Sequence, residues 1–155
     1  MCDLIPYHRD HGDGVVRVVR SVFDEYGFTW ETDGYCRDLY EPEDHYIRPG
    51  GMFWSLLDGA EVIGCVGVQV DRPNSELHRM YLHRDHRGRG LGRRLLLATI
   101  GFARERGCVS MRAWSDVKLE DAHRLYLKLG FARQGERICD DPDKSHEYGF
   151  WKEPL

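Results

Sequence analysis

Arg84-Asp85-His86-Arg87-Gly88-Arg89-Gly90-Leu91-Gly92-Arg93 lies between two segments of different periodicity, and its reading decides the fold. Before it, Glu76 to Leu82 reads as a strand, entered through the turn residues Pro73 and Asn74. After it, Leu91, Leu95, Ala98 and Phe102 form one helical stripe, with Gly107 beyond the end as a stop. A strand that passes through glycines into a helix is an anion cradle. The first N–H groups of a helix have no intrahelical partner, the helix dipole adds partial positive charge, and glycines let an anion approach the backbone.

The spacing narrows the anion. The glycines stand at 88, 90 and 92, and position 93 is arginine, which breaks the G-x-G-x-x-G pattern of dinucleotide sites. No G-x-x-x-x-G-K-[ST] is present either, so a P-loop nucleotide site is absent. The pattern that fits is R-x-x-G-x-G, carried by Arg87, Gly90 and Gly92.

Outward from this loop the chain alternates strand and helix. Downstream, Val109 to Trp114 reads as a strand, and Ala122, Leu125, Tyr126 and Leu129 recur at helical spacing up to Gly130. Two further strands, near Phe131 to Ile138 and His146 to Trp151, flank the polar turn Asp140 to Ser145. Upstream, Leu4 to Tyr7 is a short strand, and Val15, Val16, Val19 and Phe23 mark a helix that Gly27 stops. A weaker helical pattern runs from Glu31 to Tyr40, and Asp58-Gly59 joins Met52 to Leu57 and Val62 to Val70 as a hairpin. No repeat, linker or low-complexity tract interrupts residues 1 to 155, which read as a single domain.

Composition excludes other classes. The 155 residues are 41% hydrophobic and 31% charged, the profile of a folded globular domain. The longest apolar run, Leu95 to Ile100, is far short of the roughly 20 residues a membrane-spanning helix needs. Met1 to Asp10 lack the apolar stretch of a secretory leader, and the five cysteines show no C-x-x-C pair, so reduced thiols in the cytoplasm are expected. A net charge of -4 disfavours nucleic acid and suits a cationic small molecule. His83-x-x-His86 with Asp85 lacks a third ligand at characteristic spacing and sits among arginines, so no metal is expected.

The order strand, R-x-x-G-x-G, helix, strand, then a helix ending in Leu125-Tyr126-Leu127-Lys128-Leu129-Gly130-Phe131 resembles the GNAT acetyltransferase superfamily from Glu76 to Phe131. The resemblance implies an α/β (α+β) fold. Its mixed, largely antiparallel central sheet would have about seven strands flanked by about four helices, with a splayed strand pair forming a CoA cleft. It further implies direct transfer of an acetyl group from acetyl-CoA, the acyl donor substrate, to a primary amine in a ternary complex without a metal.

By motif position, the CoA pyrophosphate falls to Arg87, Gly88, Arg89, Gly90, Leu91, Gly92 and Arg93, and the pantetheine arm to Met80, Tyr81 and Leu82. A backbone N–H near Met80 would hold the oxyanion. Glu76, eleven positions before Arg87, matches the general-base glutamate of the histone acetyltransferase branch, and burial under Leu77 and Met80 is expected to tune it toward neutral pH. Tyr126 matches the tyrosine that protonates the departing thiolate. Many members carry asparagine seven positions before that tyrosine, where this chain has Leu119, which puts one supporting hydrogen bond in question.

The implied acceptor is a small-molecule or peptide amine, and a homodimer is open. The resemblance suggests that Phe28, Trp30 and Glu31 and the Asp140 to Asp143 turn border the acceptor cleft, where aromatic and acidic side chains would suit a cation. Two other readings stand beside transfer: a CoA-binding sensor without catalysis, and a nucleic-acid module built on the arginine tract. The tract is short, lacks interleaved aromatics and belongs to a net-acidic chain, which counts against the second.

Overall fold

Gly59 adopts φ 62°, the left-handed conformation a tight hairpin needs, and the expected hairpin forms with Gly59-Ala60 as its turn, one position beyond the expected Asp58-Gly59, because Asp58 still pairs with Glu61. The computed structural model describes residues 2 to 155. Its strands are β1 (Cys2–Pro6), β2 (Met52–Asp58), β3 (Glu61–Asp71), β4 (Asn74–Leu82), β5 (Ser110–Asp116), β6 (Ala132–Ile138) and β7 (His146–Lys152). The α-helices are α1 (Gly12–Tyr26), α2 (Leu91–Glu105) and α3 (Glu120–Lys128), and a five-residue π-helix, Glu43–Ile47, is the fourth helical flank. The strands form a single sheet in the order β1-β2-β3-β4-β5-β7-β6, antiparallel throughout except for β4 with β5.

β3 is covered on both faces, which explains its near-continuous apolar run. Val62 and Cys65 join Val15, Val18, Val19 and Phe23 of α1, while Ile63, Val66 and Val68 join Leu95, Leu96 and Ile100 of α2. Each fully buried aliphatic side chain contributes about 1.5–3 kcal/mol, so these two clusters fasten both layers of helix to the sheet.

The helical pattern over Glu31 to Tyr40 does not become a helix. Glu31 Oε1 instead accepts the Tyr35 amide at 2.7 Å, closing turns that end in a 3-10 helix at Arg37–Leu39. Asp33-Gly34 favours that turn over a helix, and Cys36 and Leu39 are buried by it.

Two irregularities in β4 open the sheet. Its parallel pairing with β5 covers only Asn74 to Leu77 against Ser110 to Ala113, so β4 beyond Leu77 and β5 beyond Ala113 have no mutual ladder. On its other side the register slips between Cys65 and Gly67, leaving Val66 opposite both Arg79 and Met80. Arg79 takes φ 51°, a left-handed conformation that strains a residue with a Cβ. Such a bulge removes main-chain groups from the ladder, here beside the point where the strands part.

Candidate active site

The glycine loop has the conformation that an anion cradle requires. Gly88 and Gly90 adopt φ 80° and 76°, and Gly90 caps the start of α2. The first helical bond runs from Arg94 N to Gly90 O at 3.2 Å, which leaves the amides of Leu91, Gly92 and Arg93 without intrahelical partners. A cavity of about 540 Å³ opens over this loop. Of the residues expected to bind CoA, Met80, Tyr81, Leu82, Arg87, Gly88, Gly90, Gly92 and Arg93 line it.

Arg89 and Leu91 do not line that cavity. Leu91 is buried in the core, so only its main-chain N–H can serve the cradle. Arg89 Nη2 lies 2.6 Å from His86 Nδ1 on the surface. Arg87 lines the cavity, yet its guanidinium is already committed. It grips Glu25 of α1 through two bonds of 2.7 and 2.9 Å and the Leu82 carbonyl through two more of 3.1 and 3.0 Å. The side chain thus ties the loop to α1 and to the end of β4, and Glu25 raises its pKa further. His83 caps the short turn after β4, its Nδ1 accepting the Asp85 amide at 3.2 Å.

A substitution at Gly90 isolates the cradle. An added Cβ would meet nothing within 4 Å, so packing tolerates it, but φ 76° would be strained. At about 1–2 kcal/mol for that conformation, Gly90→Ala should weaken acetyl-CoA binding about 5- to 30-fold by depopulating the cradle. Calorimetry on the folded variant reads this directly, and unchanged affinity would rule out the loop as the pyrophosphate site.

A second cavity, about 440 Å³, lies on the other side of the strand gap. Glu76, His78, Arg79, Trp114, Asp116, Tyr126, Arg137 and Glu147 are among its lining residues. The two cavities share Met80, Tyr81, Leu119 and Ala122, at the level where β4 and β5 diverge. Leu119, where the family often has asparagine, therefore stands at the junction and offers no side-chain hydrogen bond.

Glu76 and Tyr126 both face this second cavity. Burial was expected to raise Glu76 toward neutrality, and the structure reverses that expectation. His78 Nε2 approaches Glu76 Oε2 at 3.5 Å, and this contact outweighs burial, holding the carboxyl below its usual range with help from Arg137 and Arg112. Tyr126 is buried against Phe131 and Phe150, at ring separations of 5.6 and 5.0 Å. Burial pushes its phenol well above the ordinary tyrosine value, so it stays protonated.

Sequence reasoning missed much of the wall of this second cavity. Arg79 makes a forked ion pair with Asp38, Nη2 to Oδ1 at 2.8 Å and Nε to Oδ2 at 3.0 Å. Its guanidinium also stacks on the Tyr35 ring at 4.6 Å and donates to the Tyr35 carbonyl. Burial opposes ionisation of Asp38, but the Arg79 bonds prevail and hold it below the usual range. Glu147 is buried on β7 and accepts from Arg137 Nε at 2.8 Å, while Arg137 stacks on Trp114. A charged residue at an inward strand position was the available signal for Glu147; nothing local marked Asp38.

Of the loops expected at the acceptor cleft, Phe28 and Asp141 line the cavity, whereas Trp30 and Glu31 do not. Asp143 instead joins the two loops, accepting from Thr29 N at 2.7 Å and Thr29 Oγ1 at 2.6 Å.

Comparison with known proteins meets this geometry. The model of the acetyltransferase (GNAT) family matches residues 17–131. Over 126 residues the chain is 32% identical to an uncharacterized N-acetyltransferase of Escherichia coli (strain K12), covering 76% of this chain and 74% of that protein. Over 107 residues it is 29% identical to N-acetyltransferase 8F1 of Rattus norvegicus, covering 65% of this chain and 48% of the rat protein. The chain thus spans about half the length of such rodent relatives.

In fold it is similar to a GNAT acetyltransferase of Staphylococcus aureus Mu50, with a TM-score of 0.87, 20% identity and 99% of both chains covered. It is also similar to the PaiA N-acetyltransferase of Thermoplasma acidophilum, solved in complex with coenzyme A, at a TM-score of 0.75 and 16% identity over 99% of both chains. With the family model matching residues 17–131, most of its length, the chain belongs to the GNAT acetyltransferase family.

Proposed function

We propose that the protein transfers an acetyl group from acetyl-CoA directly to a primary amine while both are bound. The observation that carries this reading is the meeting of two cavities at Met80 and Tyr81, one over the glycine loop and one lined by Glu76 and Tyr126. A donor lying along β4 and an acceptor entering from the opposite side can then share one reacting carbon.

The chemistry assigns each group a task. The amine nitrogen, once neutral, gives its lone pair to the thioester carbonyl carbon, and the C=O π electrons move onto oxygen. A main-chain N–H freed by the bulge at Arg79 and Met80 is suited to hold that oxyanion, a contribution of about 10²- to 10³-fold. When the oxyanion collapses, the C–S bond breaks and sulfur leaves with the electron pair. Tyr126 supplies a proton to that thiolate, Glu76 accepts the one lost by nitrogen, directly or through water, and the proton count closes.

A covalent acetyl-cysteine route fits less well. Cys139 lines the acceptor cavity, but burial raises its thiol pKa, and a protonated thiol is a poor nucleophile. No helix among the described residues is long and apolar enough to cross a membrane. The deciding experiment is a free-thiol assay with acetyl-CoA across a panel of amines. Thiol release that depends on an amine supports transfer; silence across the panel with tight CoA binding would convert the protein to a CoA sensor.

A further inference from the structure

Among the described residues, three buried side-chain atoms have no hydrogen-bond partner: Ser55 Oγ, His78 Nε2 and Arg79 Nη1. Two of these belong to consecutive residues, and both residues line the acceptor cavity. Buried polar groups are nearly always satisfied, and an unmade bond to a charged donor is costly, so paired exceptions in one cavity point to a missing acceptor.

The local geometry strengthens the reading. Arg79 is 92% buried by side-chain area, given its 8% exposure, and its Nε and Nη2 are committed to Asp38 and the Tyr35 carbonyl. Nη1 makes no hydrogen bond, although the Tyr46 and Tyr81 phenols lie beside the guanidinium, and a guanidinium does not lose its proton to relieve the cost. His78 Nε2 stands 3.5 Å from Glu76 Oε2, the contact that holds the Glu76 carboxyl low, and makes no closer hydrogen bond. Regular strand alternation would send residues 78 and 79 to opposite faces. The bulge, with Arg79 at φ 51°, brings both to the Tyr46 side: the His78 ring lies 5.8 Å from the Tyr46 ring, and Tyr46 donates to the Asp38 that holds Arg79. Strain and desolvation are both spent to present two nitrogen donors there.

An oxygen anion satisfies two adjacent nitrogen donors, and a simple alkylamine brings none. The same cavity also carries Glu76, Asp116 and Glu147, which suit an ammonium group. A molecule bearing both charges meets both sets. We propose that the acyl acceptor is an amino acid, its carboxylate received by Arg79 and His78 while its amine faces the thioester. This rests on the transferase reading and narrows its substrate class.

The test pairs common amino acids with amines that lack only the carboxylate: leucine with isoamylamine, phenylalanine with phenethylamine, lysine with cadaverine, and so on. For at least one pair, kcat/KM should favour the amino acid by about 10- to 100-fold, the range for a hydrogen bond to a charged group. His78→Ala and Arg79→Lys should each shrink that ratio about tenfold, Lys keeping the charge but losing the fork. The His78 variant keeps the test decisive should Arg79→Lys fail to fold. Ratios at or below one in every pair, or a ratio untouched in the folded variants, would overturn the carboxylate site and leave transfer standing. No thiol release with either set overturns transfer itself, and the carboxylate site with it.

Discussion

Tyr126→Phe should lower kcat for acetyl transfer by about 10²- to 10³-fold while leaving acetyl-CoA affinity unchanged. The ring would stay in place, because its contacts with Phe131, Phe150 and His123 are made by carbon faces that phenylalanine reproduces. What is removed is a hydroxyl that burial keeps protonated at every pH suited to the assay. A departing thiolate has a conjugate-acid pKa of about 8.5, so near neutral pH it leaves more readily when a donor stands beside it. The loss therefore belongs in kcat, not in ground-state binding. Single-turnover kinetics with calorimetric CoA affinity separate the two. A kcat within about threefold of the parent would return Tyr126 to a packing role.

How much of this was legible before the structure depended on how local each signal is. The cradle was readable because its parts lie within ten consecutive positions, from Arg84 to Arg93, and its neighbours declare their periods without help from the rest of the chain. α2 begins at Leu91 and β4 ends at Leu82, where the alternation and the glycines place them. Arg87 was expected at the pyrophosphate, and its ion pair was not legible because its partner Glu25 is 62 positions away.

The second cavity, proposed for the acceptor, was the harder half for the same reason. The Asp38 to Arg79 pair spans 41 positions, and the loop that carries Asp38 read as part of a weak helix. The bulge was invisible because its left-handed position holds arginine, where glycine would have announced it. Glu76 was proposed because it matches the glutamate position of the resembled family, and its electrostatics came out inverted. The neighbours two positions along the strand and across the sheet, His78, Arg112 and Arg137, outweigh the apolar burial that its flanking residues suggested.

That inversion has a measurable consequence for Glu76→Gln, whose expected loss in kcat is about 10²-fold, at the lower end for general-base catalysis. The folded carboxyl lies below its usual range, so Glu76 is already ionised throughout pH 6 to 9, and raising pH across that window gives it no further charge. The rise of kcat/KM with pH should therefore report the acceptor ammonium losing its own proton, whose pKa is about 10.4 for a lysine-type amine. Glu76→Gln should lower the whole profile and keep that limb in the same place. A limb near pH 6 to 7 in kcat/KM that is present in the parent and lost in Glu76→Gln would show that burial, and not the His78 contact, sets the carboxyl in the free enzyme. That would restore the burial-tuned base expected from the sequence and contradict the assignment made here.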